Sequence, residues 1–364
     1  MHNLKEVSDL FDLRADFVAG ASYGSGHIND TYCIEADQAG KRIRYILQRV
    51  NHNVFRQPIP LMENVQRVTE HALKRLIESG NKEAYRRTLT LIPAKNGKCY
   101  GQDAEGNVWR VYPFIERART YDQIETPKQC EEAARAFGEF QKLTADLPGE
   151  PLFETIPNFH NTSSRFEALL AAIKEDKMGR AKEVQKEIDF YLARQADGSK
   201  VVNYLASGEL PLRCTHNDTK LNNVMLDDVT GEGICVIDLD TTMPGSAVYD
   251  FGDMIRTATS PAAEDEKDVS KVTMRMFMFE ALIKGYLASA SDFLTPLERE
   301  LLPFSGKLLT MECGVRFLTD YLSGDVYFKI HRPEHNLDRT RTQIALVESI
   351  EKQMNEMQAL VEKY

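Results

Sequence analysis

The chain is 364 residues long, 42% hydrophobic and 27% charged, a globular balance that buries a sizeable core and excludes a disordered polyelectrolyte. Its 45 Lys and Arg against 55 Asp and Glu leave a formal charge of −10, which disfavours nucleic acid and anionic membrane surfaces as partners. At ~100–200 residues per domain the length predicts two structural units or one bilobal one.

The segment Met1-His2-Asn3-Leu4-Lys5-Glu6-Val7-Ser8-Asp9-Leu10-Phe11 reads as a short amphipathic helix, not a signal peptide. No apolar run approaches the ~18 residues of a membrane span. The cysteines (Cys33, Cys99, Cys130, Cys214, Cys235, Cys313) are dispersed, with no C-x-x-C, so reduced thiols in a cytoplasmic protein are expected.

Residues 32–35 and 42–50 are β-rich runs separated by Asp37-Gln38-Ala39-Gly40, a hairpin spacing. Leu61, Val65, Val68, Ala72, Leu73 and Leu76 then recur at helical intervals. Strands are expected at 88–92 and 108–115, with a short one at Cys99-Tyr100 between Asn96-Gly97 and Glu105-Gly106-Asn107. The texture then turns helical. Thr126-Pro127 makes an N-cap and N1 pair before Ala133, Phe137, Phe140 and Leu143. Thr295-Pro296-Leu297-Glu298 is a capping box opening a helix that Pro303 is expected to interrupt. Ile344, Val347, Met354, Met357 and Val361 form a core stripe on a last helix. Between the helices lies one further β patch, 223–226 and 234–237 around a turn at 228–231. The order predicts an α+β chain: a small β-rich lobe over 1–116, a linker near 116–121, and a helical lobe over 117–364 that holds one hairpin.

The chemistry concentrates in Cys214-Thr215-His216-Asn217-Asp218-Thr219-Lys220-Leu221-Asn222-Asn223, an H-x-D-x-x-x-x-N pattern followed by strand, turn, strand and Asp238. Phosphoryl transfer from a magnesium-bound nucleotide needs one group to orient and deprotonate an acceptor hydroxyl, and oxygen ligands for the metal. A loop carrying Asp218 and Asn223 can aim a carboxylate at the acceptor and an amide at the metal. The hairpin then returns Asp238 beside them. Magnesium takes few protein oxygens together with phosphate oxygens, and Asn223 with Asp238 meets that demand. The bland alternative is a turn-rich loop whose Asx side chains cap local backbone.

This segment resembles that of the aminoglycoside-phosphotransferase and choline-kinase-like family. Gly24-Ser25-Gly26-His27-Ile28-Asn29, Ile237-Asp238-Leu239-Asp240-Thr241, Met243-Pro244-Gly245-Ser246, Asp250-Phe251-Gly252-Asp253 and residues 308–317 extend the likeness to bacterial kinases of N-acetylhexosamines within it. The resemblance implies a protein-kinase-like two-lobe fold that uses ATP and Mg2+. It makes Asp218 the catalytic base and Asn223 and Asp238 the metal ligands, while His216 joins the catalytic set chiefly by orienting the loop. The β-rich lobe would cover the nucleotide through Gly24 and Gly26, with a hinge at Tyr112-Pro113-Phe114-Ile115 offering the backbone of Pro113 and Ile115 to adenine. The acceptor, the anomeric hydroxyl of GlcNAc or GalNAc, would be held by His27, Arg316 and Tyr327. A hemiacetal hydroxyl is more acidic than an ordinary alcohol, so a carboxylate base suffices.

Two departures stand out. The third strand places Gln48, with Arg49 beside it, where many kinases have a phosphate-holding Lys, which leaves that cation and its helix partner (Glu63 or Glu70) open. The Gly-rich segment ends in Asn29 rather than a third Gly.

Other patterns invite misreading. Asp250-Phe251-Gly252 spells a kinase metal motif but leads into a helical run, so Asp250 is expected to brace the catalytic loop by hydrogen bonds. Asp240 reads equally as an assistant to the metal or a solvated turn residue. His331-Arg332-Pro333-Glu334-His335 matches a zinc pattern that Pro333 denies a helix. Arg316 has a simple alternative as the i,i+4 partner of Asp320, and Tyr327 as a packed ring with a wet hydroxyl. The competing functions are a kinase of another small hydroxyl acceptor (amino alcohol, homoserine-like metabolite or aminoglycoside) and a catalytically dead nucleotide-binding scaffold. A monomer is compatible with all three, and the oligomeric state stays open.

Overall fold

A computed structural model describes residues 2–24, 26 and 28–364. The first elements are α1 (Leu4–Ser8), β1 (Asp16–Ser22), β2 (Asp30–Gln38), β3 (Lys41–Arg49), α2 (Pro58–Glu78), α3 (Ala84–Arg87), β4 (Gly101–Gln102), β5 (Val108–Pro113) and β6 (Ala118–Arg119). The helical stretch brings α4 (Pro127–Thr144), α5 (Thr162–Glu175), α6 (Gln185–Leu192), α7 (Gln195–Gly198) and α8 (Lys200–Ser207). Then come β7 (Arg213–Thr215), β8 (Val224–Asp227), β9 (Gly233–Val236), β10 (Met243–Gly245), α9 (Ala247–Ala258), α10 (Met276–Ala290), α11 (Pro296–Ser323) and α12 (His335–Lys363). One unit comprises Met1–Arg119, Leu143–Ile156 and Met225–Met243; the other comprises Thr120–Lys142, Pro157–Val224 and Pro244–Tyr364.

The first unit is built on an antiparallel sheet in the order β1-β2-β3-β5-β4. Ala39 and Gly40, both at positive φ (52° and 86°), make the two-residue turn that matches the twist of β2 and β3. The Gly40 N–H donates to Asp37 Oδ1 at 2.8 Å. Ile34, Leu47, Trp109 and Val111 pack with Val7 and Phe11 into this unit's core. The strand expected at 88–92 does not form: β4 occupies the free edge of β5, leaving that stretch a single ladder bond from Ile92 N–H to Val111 O (2.9 Å). The short strand falls at Gly101–Gln102, just after Cys99-Tyr100. The sequence reading missed β1, whose DFVAGAS is largely exposed and carries no apolar alternation. The expected linker contains β6, which pairs with β8 beside β9.

The second unit is helical. Phe166, Ile188, Tyr191, Leu308, Val315 and Val347 lie in its core. The capping box of α11 is present, with Glu298 N–H on Thr295 Oγ1 at 3.2 Å and Thr295 N–H on Glu298 Oε2 at 2.7 Å. Pro303 does not interrupt the helix, which runs from Pro296 to Ser323. An interior proline costs ~3 kcal/mol. Leu301, Leu302, Leu308 and Leu309 are buried on both sides of it, each worth ~1.5–3 kcal/mol, so packing outweighs the lost bond. In the literal Asp250-Phe251-Gly252, Phe251 is fully buried. A Cβ on Gly252 would lie 2.4 Å from the Ser305 carbonyl oxygen, so the glycine is where α9 seats against α11.

All six cysteines are free. Among the described residues, no helix is long and apolar enough to cross a membrane.

Candidate active site

The loop from β7 to β8 is held from behind by helix carboxylates. Asp250, in the first turn of α9 and wholly buried, accepts from the N–H of His216 (3.0 Å) and Asn217 (2.7 Å). Gln141 of α4 donates to the same carboxylate at 2.7 Å and is itself held by the Tyr286 hydroxyl. Asp253, one turn on, accepts from Thr219 N–H at 3.1 Å and pairs with Arg256 at 2.8 Å. The bracing role read from the sequence for Asp250 is thus met atom by atom. Burial pushes the Asp250 carboxyl up, against His216 and the two amide bonds. Asp250→Ala strands two buried amides and is expected to cost roughly 2 kcal/mol; urea unfolding checks this, and an unchanged midpoint would refute the brace.

The loop's front carries the candidate catalytic and metal-ligating residues. Asn217 adopts a left-handed conformation (φ 65°), which Asn tolerates better than most side chains. Asp218 follows, half-buried, with Lys220 Nζ 2.9 Å from Oδ1. Asn223 Nδ2 donates to the Asp218 carbonyl at 2.8 Å and to its Oδ2 at 3.2 Å. Burial acts to raise the Asp218 carboxyl, but Lys220, His216 and Arg256 outweigh it and hold it below the usual carboxylate range. It is therefore ionised at neutral pH. His216 is fully buried between Phe137 and Phe140, and its Nδ1 accepts from Asp218 N–H at 3.3 Å.

Asp238 and Asp240 follow β9 in the first unit. Asp238 is left-handed (φ 59°), a conformation costing of order 1 kcal/mol that persists only where surroundings enforce it. Asp240 is not solvated: it is 2% exposed, pairs with the Arg110 guanidinium and accepts from Asn29 Nδ2 at 2.6 Å. Asn29 also accepts from Asn51 N–H at 2.9 Å, so the residue standing where a third Gly was lacking ties the Gly-rich segment to the turn after Asp238. Arg110 is 1% exposed and donates twice to Gln48 Oε1, through Nε (2.8 Å) and Nη2 (2.6 Å). Gln48 therefore orients a guanidinium contributed by the neighbouring strand. Arg49 points to the opposite sheet face and is held by Asp30 at 2.6 Å. Glu63 and Glu70 are both exposed, and the α2 side chain that meets Arg110 is Met62.

Gly24 sits at φ 84°, and a Cβ on Gly24 or Gly26 would meet nothing within 4 Å. His27 lies outside the described residues. Ile115 is buried and Pro113 half-buried; between them Phe114 N–H donates to Arg44 O at 3.1 Å.

In the second unit, Arg316 and Tyr327 come together. The Arg316 guanidinium lies 5.8 Å from the Tyr327 ring centre and 5.4 Å from that of Phe328. With Arg165 they line a cavity of about 220 Å³. The i,i+4 alternative for Arg316 fails because Asp320 is used elsewhere. Its carboxylate accepts from the N–H groups of Val326 (2.9 Å), Tyr327 (2.8 Å) and Phe328 (3.0 Å), and from Asn336 Nδ2 (2.9 Å). Burial, and then Arg316, lower Arg165. The zinc-like pattern is a turn, with His335 at the start of α12 accepting from His331 N–H at 3.1 Å.

Sequence reasoning missed Lys220, Arg110, Asp253 and His160. Lys220 was legible, being two residues from Asp218 in the same loop; the others act through partners far away in the chain.

The antiparallel-sheet unit and the helical unit, with an H-x-D-x-x-x-x-N loop braced by helix carboxylates, define a protein-kinase-like phosphotransferase fold. The chain belongs to the phosphotransferase enzyme family, whose model matches residues 20–275. The structure is similar to that of a microcompartment-associated aminopropanol kinase (TM-score 0.56, 14% identity, 98% of each chain covered). It is also similar to an aminoglycoside phosphotransferase from Alicyclobacillus acidocaldarius (0.61, 13%, 99% of this chain and 96% of that one). A third similar structure is a Plasmodium vivax ethanolamine kinase (0.53, 14%, 89% of this chain and 82% of that one). At such identities these are likenesses of fold.

Proposed function

We propose that this phosphotransferase is an ATP- and magnesium-dependent kinase of the anomeric hydroxyl of N-acetylhexosamines, giving the 1-phosphate. Asp218 takes the hydroxyl proton as the γ-phosphoryl group is attacked, and Lys220 balances the charge gathering beside it. Asn223 and Asp238 are the metal ligands. Both offer the hard oxygens magnesium prefers, and because the Asn223 amide nitrogen is spent on Asp218, its oxygen is the atom left to coordinate. When bound, the ion neutralises phosphate charge. The nucleotide is held by Gly24, Gly26 and Gln48, and at the backbone of Pro113 and Ile115, while Arg49, on the opposite sheet face and held by Asp30, is left out of that set; His27 contributes to the acceptor site.

The observation that carries the choice of acceptor is the Arg165–Arg316 cavity. Two guanidiniums repel an ammonium group, and the carboxylate at hand, Asp320, is committed to backbone amides. Aromatic rings beside Arg316 suit the apolar face of a sugar. The second reading, an amino alcohol or aminoglycoside kinase, draws on the names of the structural neighbours and on the chain's net charge of −10. A ³¹P NMR spectrum of products from an acceptor panel, with and without Mg2+, separates them. Phosphate on an anomeric carbon supports the sugar reading, phosphate on the hydroxyl of an amine-bearing acceptor supports the second, and nucleotide binding without transfer to any acceptor leaves only a scaffold.

Arg316→Ala is expected to raise the acceptor KM by roughly 10–100-fold, the worth of a charged hydrogen bond, with the ATP KM unchanged. Initial-rate kinetics check it, and equal acceptor KM values would take Arg316 out of the site.

A further inference from the structure

His160, in the segment just before α5, directs both ring nitrogens at oxygen acceptors. Nδ1 lies 2.8 Å from Glu312 Oε1 on α11, and Nε2 lies 3.3 Å from the Asn217 carbonyl oxygen. A neutral imidazole has one N–H, so only the imidazolium donates to both. The peptide it reaches is the one joining Asn217 to Asp218. That peptide's other end, the Asp218 N–H, donates to His216 Nδ1 at 3.3 Å. Two histidines thus hold one peptide plane, His160 on the carbonyl and His216 on the amide.

The surroundings favour the charged form of His160. The side chain is 9% exposed and Glu312 is 2% exposed. Its ring packs on Phe159 and on Tyr249 of α9. Burial acts to lower its pKa, but Glu312, Asp253 of α9 and the Asn217 carbonyl outweigh this and raise it above the usual histidine value. Glu312, which also meets Thr162 of α5 and Arg316 of α11, is held below the usual carboxylate range against its own burial.

We propose that His160 is a positioning residue for the transfer reaction, clamping the carbonyl before Asp218 to α11 and so making the aim of the base depend on the His160 proton. The proposal rests on Asp218 acting as base. It gives the protein an alkaline activity limit set by a side chain that touches no substrate.

The experiment is a kcat–pH profile from pH 5 to 9 at saturating substrates for wild type and His160→Gln, with ¹H–¹⁵N NMR of the histidine side chains. Wild type is expected to lose kcat above the raised His160 pKa, with the His160 imidazolium signals vanishing at the same midpoint. His160→Gln, which donates without titrating, is expected to lack this alkaline limb and to lose roughly tenfold in kcat near pH 6.5, a cost in line with a small misplacement of the base, while both KM values hold. An unchanged alkaline limb in His160→Gln overturns the proposal, whatever its thermal stability, and so does a His160 that NMR finds neutral at pH 6. Failure of the Asp218 reading shows separately, as full activity in Asp218→Asn alongside an intact His160 titration.

The same proton has a stability signature. A folded pKa raised above about 6.5 gives stabilisation that is complete below that pH and lost as pH rises through the folded value. The wild-type advantage over His160→Gln in thermal unfolding should therefore shrink from pH 6 to pH 9.

Discussion

Asp218→Asn is expected to lower kcat by ~10²–10⁴ while nucleotide affinity is retained, the loss typical of a positioned base. The substitution keeps size and one acceptor oxygen, so the bond from Asn223 Nδ2 to the residue-218 carbonyl survives. It removes the carboxylate oxygen proposed to receive the proton and half of the 2.9 Å pair with Lys220. Because Lys220, His216 and Arg256 hold the carboxyl below its usual range despite burial, its protonation should not limit wild-type activity down to about pH 5. Single-turnover rates with and without acceptor, beside a nucleotide titration, make the test. Near-normal turnover would remove Asp218 from the mechanism.

Arg110→Met is expected to destabilise the chain by roughly 3–5 kcal/mol, the cost of leaving a buried carboxylate uncompensated. Arg110 is 1% exposed and its partner Asp240 2%. Gln48 Oε1 would lose both of its donors as well. The effect should reach function, because Asp240 sits in the turn immediately after Asp238 and Arg110 fixes that turn to the sheet. The double variant Arg110→Met/Asp240→Leu should recover much of the stability, since an apolar pair of matching volume is tolerated where a lone charge is not. Denaturant unfolding of both variants decides the matter; a loss below about 1 kcal/mol in the single variant would mean water reaches Asp240.

These two sites differ in how plainly the sequence announced them. Asp218 and Asn223 lie in one short loop, and Asp238 follows the return strand, so order and spacing singled them out as candidates. Asp250 was readable from its neighbours, which place it after Pro244-Gly245 at the start of a helical run. Arg110 was not, because its partner is 130 positions away and a strand residue does not declare which face its charge serves. For the same reason the sequence left Asp240 equally open as an assistant to the metal or a solvated turn residue. Asp320 is a different case: helical spacing offered it as an alternative partner for Arg316, while three amides beyond the helix end claim the carboxylate. Pro303 shows propensity yielding to burial, and β1 shows that an exposed, Ala/Gly-containing strand can pair well without any alternation to reveal it.

The Asp320 clasp has an evolutionary corollary. A loop suspended by its main chain from one carboxylate can exchange side chains without losing its anchorage, as long as the clasp stays. Positions 326–328 can then vary while the helix beneath remains untouched, and a loop transplanted from a relative should seat itself wherever an aspartate stands in the last turn of the helix in the same register.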